Sequence, residues 1–320
     1  MDPLIREIAE LKAERDAVIL AHYYEDDQIQ DIADRVGDSL YLAQEGQKLK
    51  SPVILLAGVV FMAESVKILS PEKTVLVPDL SAGCSLVEGS PYHDYLNWRR
   101  QHPDAICVTY INSSAAVKAI SDVICTSSNA LEIIHAIPPE RPILFGPDQN
   151  LGRYLAQVTG RNMTLWPGSC EVHVLFSAEK LVLLKQQNPG AVVLAHPECE
   201  AEVLRLSDVI GSTSHLLAEV TRLTSVKTFI VATEPGILHQ MRKARPDARL
   251  IEAPSAAVCG CNNCPYMKMN TLEKIRRALH ELNPAVSVDP GLADKARISL
   301  QRMMEITAGQ SVTWPSRFTL

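Results

Sequence analysis

The chain has 320 residues, with 31 Lys and Arg against 37 Asp and Glu and a formal net charge of -6. An acidic balance gives no support to nucleic-acid binding, and 47% hydrophobic with 21% charged residues is ordinary for a folded globular protein and not for a disordered one. No apolar run reaches the roughly 18 residues of a membrane span. The opening stretch from Asp2 to Leu11 is an amphipathic helical pattern without the basic start and apolar run of a secretory signal. The expectation is a cytoplasmic protein of two or three compact units, in which eight cysteines serve as thiols, metal ligands or redox groups and not as structural disulfides.

Residues 3–16 read as a helix, followed by an apolar strand over 17–21 that ends in His22-Tyr23-Tyr24-Glu25. Polar groups just past such a strand draw attention, because open α/β sheets bind ligands at the carboxyl ends of their parallel strands. The arrangement recurs. A strand over 105–109 runs into Tyr110-Ile111-Asn112, and one over 191–195 runs into His196-Pro197-Glu198, so His22, Tyr110 and His196 correspond at offsets of 88 and 86 residues. The same offsets align Asp34 with Asp122 and Asp208, and Ser39 with Ser127 and Thr213. The last three precede apolar helical patterns and read as helix N-caps.

Further strands follow in the same register at 53–58, 143–146 and 228–232, and again near 75–78, 163–167 and 249–254. Each final strand leads into a loop with a cysteine, giving Cys84, Cys170 and Cys264 as corresponding residues. Strand and helix alternation with short crossovers predicts an α/β fold of three αβα sandwich domains with small parallel sheets, related by a pseudo-threefold axis. The expected divisions are 1–86, 87–174 and 175–270, with 271–320 as closing helices. Such symmetry would bring every strand end and all three cysteine loops to one centre.

Independent core cysteines would have no reason to share a repeat position. Thiolates suit zinc or iron-sulfur clusters. A structural zinc asks for four ligands, usually in close pairs, whereas one cysteine per domain suits a [4Fe-4S] cluster with one iron left open. Cys259 and Cys261 crowd against Cys264 and leave a zinc knuckle or a redox pair as alternatives. Cys107, Cys125 and Cys199 read as small buried hydrophobes. Glu198, beside His196, has the chemistry of a general base, and His173 follows Cys170 closely enough to meet a substrate beside a metal. Helix N-termini carrying Ser39, Ser127 and Thr213 would suit carboxylates or phosphate. No glycine-rich nucleotide loop is present.

The stretches Ala21-His22-Tyr23-Tyr24, Gly37-Asp38-Ser39, Ala82-Gly83-Cys84-Ser85, Thr109-Tyr110-Ile111-Asn112, Thr126-Ser127-Ser128-Asn129, Gly168-Ser169-Cys170-Glu171-Val172-His173, His196-Pro197-Glu198-Cys199, Gly211-Ser212-Thr213 and Cys264-Pro265-Tyr266-Met267 together resemble the quinolinate synthase (quinolinate synthetase A) family over nearly the whole chain. The resemblance implies condensation of iminoaspartate with dihydroxyacetone phosphate to quinolinate, phosphate and water in NAD biosynthesis. It implies one [4Fe-4S] cluster per chain on Cys84, Cys170 and Cys264. Substrate contacts would come from His22, Ser39, Tyr110, Ile111, Asn112, Ser127, His173, His196, Pro197, Glu198 and Thr213. Glu198 would be the main acid/base, with Tyr24 and His196 assisting. L-aspartate oxidase or aspartate dehydrogenase would supply the iminoaspartate. Family members with a Cys-x-x-Cys-x-x-Cys run have room for a disulfide that Cys259-Gly260-Cys261 does not reproduce. Two other readings remain at this level: a zinc-stabilised anion-binding protein, and an iron-sulfur hydro-lyase of a hydroxy acid.

Overall fold

The computed structural model describes residues 2–256 and 262–319, so Cys259 and Cys261 lie outside the described residues. Among the described residues short apolar runs build twelve strands: β1 (Ala17–His22), β2 (Arg35–Gly37), β3 (Val53–Ala57), β4 (Thr74–Leu76), β5 (Ile106–Tyr110), β6 (Val123–Cys125), β7 (Ile143–Gly146), β8 (Met163–Leu165), β9 (Val192–Ala195), β10 (Val209–Ile210), β11 (Thr228–Ala232) and β12 (Arg249–Glu252). They form three four-stranded parallel sheets, ordered β2-β1-β3-β4, β6-β5-β7-β8 and β10-β9-β11-β12. The order repeats, as the register in the sequence requires.

Parallel strands flanked by crossover helices are buried on both faces. In the third sheet Val193, Ala195, Ile230 and Ala232 pack on one side with Leu181 and Val203, while Leu194, Phe229 and Val231 pack on the other with Leu216 and Leu238. Alternate residues thus enter opposite cores, the period-two consequence of strand geometry. This is the αβα layering expected from the sequence.

The edge strands β2, β6 and β10 were not foreseen. Each is two or three residues long and runs straight into the polar residues that read as a helix N-cap. The N-cap expectation is also corrected. Asp38, not Ser39, caps helix Ser39–Lys48, accepting from the Tyr41 N–H at 2.9 Å. Ser212, not Thr213, caps helix Thr213–Arg222, accepting from the His215 N–H at 3.2 Å. Helix Ala130–Ala136 begins after Asn129, beyond Ser127. Ser39 and Thr213 thus stand at the first helical position and Ser127 outside its helix, so none of the three hydroxyls is the helix cap. Gly37 and Gly211, at corresponding positions, leave room for the helix behind them: a Cβ would lie 2.1 Å from Tyr41 and 2.3 Å from His215.

The three matched aspartates have one structural job. Asp34, Asp122 and Asp208 accept the backbone N–H of Ile19, Cys107 and Val193 respectively, each at 2.8 Å, fastening the edge strand's start to the central strand. Each also has a cation: Lys12 at 2.7 Å for Asp34, Arg99 for Asp122, Lys185 at 3.9 Å for Asp208.

The C-terminal helices pack on different partners. Helix Leu272–Glu281 lies with helix Pro3–Glu14 on the first sheet, joining Leu272, Ile275 and Leu279 to Ile8, Ile19 and Leu55. Helix Pro290–Thr307 adds Ala296, Leu300 and Met303 to a core shared by the first two repeats, including Val66, Val123 and Ile134. Among the described residues no helix is long and apolar enough to cross a membrane.

Burial separates the three aspartates energetically. The Asp122 side chain is 9% exposed and its Arg99 partner 0%, whereas Asp208 is 49% exposed. Asp122→Ala leaves a buried guanidinium unpaired and is expected to cost about 3–5 kcal/mol in denaturant unfolding. Asp208→Ala, removing a solvated pair and one hydrogen bond, is expected to cost about 1 kcal/mol. Equal losses would contradict the assignment.

Candidate active site

The carboxyl ends of β1, β5 and β9 deliver His22, Tyr110 and His196 to one cavity of about 70 Å³. The same cavity is bordered by Tyr24, Ser39, Asn112, Ser127, His173, Glu198, Thr213 and the three cysteines Cys84, Cys170 and Cys264. All three repeats therefore contribute to one wall each. A cavity this small has no room for a polymer.

Among the sulfurs, burial divides the cysteines as their repeat positions do. Cys84, Cys170 and Cys264 are partly exposed, whereas Cys107, Cys125 and Cys199 are fully buried; all six are free thiols. Each of the first three starts a helical turn, its carbonyl accepting from Glu88 N at 3.0 Å, Val174 N at 3.2 Å and Lys268 N at 3.2 Å respectively. Backbone N–H groups of Leu86 and Val87 favour the Cys84 thiolate, that of His173 the Cys170 thiolate, and those of Met267 and Tyr266 the Cys264 thiolate. Burial outweighs them, pushing the Cys84 thiol up to about 12, Cys264 to about 11 and Cys170 well above the ordinary range. Three sulfurs in preformed N–H cradles that burial keeps protonated are a donor set suited to a metal, whose charge would hold all three as thiolates. Among the described residues, one group of three donors lies within 4.8 Å of one another: Cys170, His173 and Glu198.

Glu198 is the most constrained group of the site. Its Oε2 meets His173 Nδ1 at 2.8 Å and His196 Nδ1 at 3.3 Å, while Oε1 has no hydrogen-bond partner among the described residues. Burial opposes the charge on Glu198, but the two imidazoles more than offset it and hold the carboxyl below its usual range. Asn150 Nδ2 steadies the loop by donating to the Glu198 carbonyl at 3.1 Å. His173 Nδ1 also lies 3.2 Å from Cys170 Sγ, and its Nε2 is 2.9 Å from Thr233 Oγ1. Thr233 in turn meets the Tyr24 hydroxyl at 2.6 Å. Burial, then the charge of Glu198, raise the Tyr24 phenol well above its ordinary value, so it stays protonated.

His22 is fixed in one tautomer. The Tyr24 N–H donates to its Nδ1 at 3.2 Å, which places the proton of the neutral ring on Nε2. Burial lowers its pKa to about 4 against the opposing charge of Asp38.

Ile111 and Pro197 do not border the cavity. Ile111 is buried in the core and donates its N–H to the Cys125 carbonyl at 2.8 Å. The resemblance carried whole runs, but along a strand end only alternate side chains face one way. Conversely, sequence reasoning passed over Asp38, Thr233 and Glu234. Thr233 and Glu234 follow β11 directly, so the strand-end logic that selected His22 would have reached them had it been applied to every central strand. Glu234 is buried on the cavity wall, where its carboxylate accepts from Gly236 N at 2.7 Å and Cys264 N at 3.4 Å.

Three small parallel α/β sheets converging on a thiol-bordered pocket, with a buried carboxylate between two imidazoles, define a class of small-molecule enzyme with a metal-competent centre. The family model described as "Quinolinate synthetase A protein" matches residues 6–305, and the chain belongs to that family. A protein named quinolinate synthase from Microcystis aeruginosa (strain NIES-843 / IAM M-2473) is 52% identical over 306 residues, covering 96% of each chain. One from Prochlorococcus marinus (strain MIT 9313) is 52% identical, covering 96% of this chain and 92% of its own. Another, from Nostoc punctiforme (strain ATCC 29133 / PCC 73102), is 51% identical over 304 residues, covering 95% of this chain and 94% of its own.

The depressed His22 pKa makes a pH prediction. Unfolded, the imidazole protonates near pH 6.5; folded, it resists until about 4. Between these values the unfolded chain binds the extra proton, so stability rises with pH across that window and is lost as pH falls through it, by up to about 3 kcal/mol. His22→Asn should flatten this part of the stability curve in denaturant titrations. A variant as steep as the parent between pH 6.5 and 4.5 would contradict the assignment.

Proposed function

We propose that the chain is a cytoplasmic quinolinate synthase of NAD biosynthesis, condensing iminoaspartate with dihydroxyacetone phosphate to give quinolinate, phosphate and water. One observation carries the reading: a cysteine from each repeat borders a single cavity together with a buried carboxylate, one oxygen of which has no hydrogen-bond partner among the described residues. The relatives' name, quinolinate synthase, supports quinolinate as the product.

Cys84, Cys170 and Cys264 would hold one [4Fe-4S] cluster. A zinc reading fits less well. Zn–S bonds of about 2.3 Å place the thiolates of one tetrahedral site about 3.8 Å apart, and among the described residues Cys170 is gathered within 4.8 Å with His173 and Glu198, without Cys84 or Cys264. When bound, a cluster with three protein ligands supplies an open iron as Lewis acid.

The chain's own groups do the remaining work. The Ser39, Ser127 and Thr213 hydroxyls, with the N-termini of helices Ser39–Lys48 and Thr213–Arg222 behind them, receive the negatively charged groups of the substrates. The neutral His22 ring donates from Nε2 to a carboxylate. Asn112, whose buried Oδ1 has no partner among the described residues, offers an acceptor to a substrate N–H or O–H. Glu198 removes protons through Oε1 while His173 Nδ1 holds Oε2, and Tyr24 serves as a protonated donor bordering the same cavity. Val59, Phe61, Met62 and Met267 line the cavity and limit water around these groups.

The hydro-lyase alternative needs no phosphate site, so release of phosphate from dihydroxyacetone phosphate in the presence of iminoaspartate separates the two. Replacing Cys84, Cys170 or Cys264 singly by Ala is expected to abolish bound iron in anaerobically purified protein. Stoichiometric zinc without iron in the parent chain would refute the cluster. Glu198→Gln should retain iron but lower kcat by about 10²–10⁴-fold, the usual span for a general acid–base group; near-parental turnover would remove Glu198 from that role.

A further inference from the structure

Asp38 stands between β2 and helix Ser39–Lys48, and nothing in the reaction above uses it. It is 6% exposed and borders the cavity. Its Oδ1 caps its own helix through the Tyr41 N–H at 2.9 Å. Its Oδ2 accepts two more hydrogen bonds, from Ser128 Oγ and Ser214 Oγ, each at 2.6 Å.

Those two serines come from the other two repeats. Ser128 follows Ser127, and Ser214 follows Thr213, just as Asp38 precedes Ser39. A single carboxylate oxygen therefore fastens all three repeats, in each case one residue away from a hydroxyl that borders the cavity. Helix capping does not account for this. Asn and Ser cap as well as Asp and need only one oxygen, whereas the second oxygen here serves groups outside the helix. Nor does a carboxylate on the wall of an anion pocket favour binding by its own charge, since like charges repel. The arrangement makes sense if the gain lies in geometry, because holding donors in place before a ligand arrives removes an ordering cost from binding.

We infer that Asp38 is a positioning residue, which pins Ser39, Ser127 and Thr213 at a fixed mutual spacing and so sets the affinity of the pocket for its dicarboxylate ligand. This rests on the quinolinate synthase reading. Asp38→Asn is the informative variant. It leaves an oxygen for the Tyr41 N–H but replaces the charged oxygen that accepts from both serines.

The experiment measures quinolinate binding by calorimetry and kcat at saturating substrates for the full chain, with Asp38→Asn, Ser128→Ala, Ser214→Ala and the double variants. Asp38→Asn is expected to weaken quinolinate binding about tenfold, equivalent to 1.4 kcal/mol, with kcat within about twofold of the parent. Ser128→Ala and Ser214→Ala should each weaken it by about threefold, and either should add less than about twofold in the Asp38→Asn background, because the partners act as one unit. A general loss of structure would instead lower binding stoichiometry and kcat together. Serine effects that multiply in full with Asp38→Asn, or single serine variants that bind like the parent, overturn the inference. The serine variants keep Asp38 and its cap, so they decide the matter even where Asp38→Asn folds poorly. A parent chain that neither binds nor forms quinolinate sinks the functional reading itself; a parent that binds it, alongside an Asp38→Asn variant that binds equally well, sinks this inference alone.

Discussion

The site exists because three sheets point their carboxyl ends at one place. A parallel strand ends by exposing the polar groups that follow it, and a single repeat can offer only a few: His22 with Tyr24 from the first, Tyr110 with Asn112 from the second, His196 with Glu198 from the third. None of these sets is a pocket. Their convergence also puts polar atoms where water is scarce, and unpaired buried groups are costly. The bonds that answer this cost run between repeats: Tyr24 in the first to Thr233 in the third, Thr233 to His173 in the second, and His173 to Glu198 in the third.

This interlocking explains the electrostatic character of the centre. Burial drives His22 toward neutrality and the thiols toward their protonated forms, while Glu198 keeps its charge only because two imidazoles share one of its oxygens. The groups left incomplete are the informative ones: Glu198 Oε1 and Asn112 Oδ1 lack partners among the described residues, and the three thiols sit in N–H cradles that favour thiolates. These are the groups that the proposed metal and substrates would satisfy.

Much of this was legible from spacing alone. The offsets linking His22, Tyr110 and His196 foretold the repeated sheet, and those linking Cys84, Cys170 and Cys264 foretold which sulfurs face the centre, against Cys107, Cys125 and Cys199, which are buried in the repeats. What escaped had physical reasons. The edge strands β2, β6 and β10 run straight into the residues that read as helix caps, and the caps observed are Asp38 and Ser212. Ile111 lies within a matching run but faces the core, because a motif does not record which way a side chain points. Thr233 lies within reach of the strand-end logic, but its contacts are with residues 209 and 60 positions away in the sequence, so its role is not legible there.

The central claim is that one metal centre is shared by cysteines of all three repeats. Anomalous scattering at the iron edge from anaerobically grown crystals tests it most directly. The account predicts a single iron-containing peak between the sulfurs of Cys84, Cys170 and Cys264. An ion seated on Cys264 with Cys259 and Cys261, or scattering at the zinc edge alone, would contradict it.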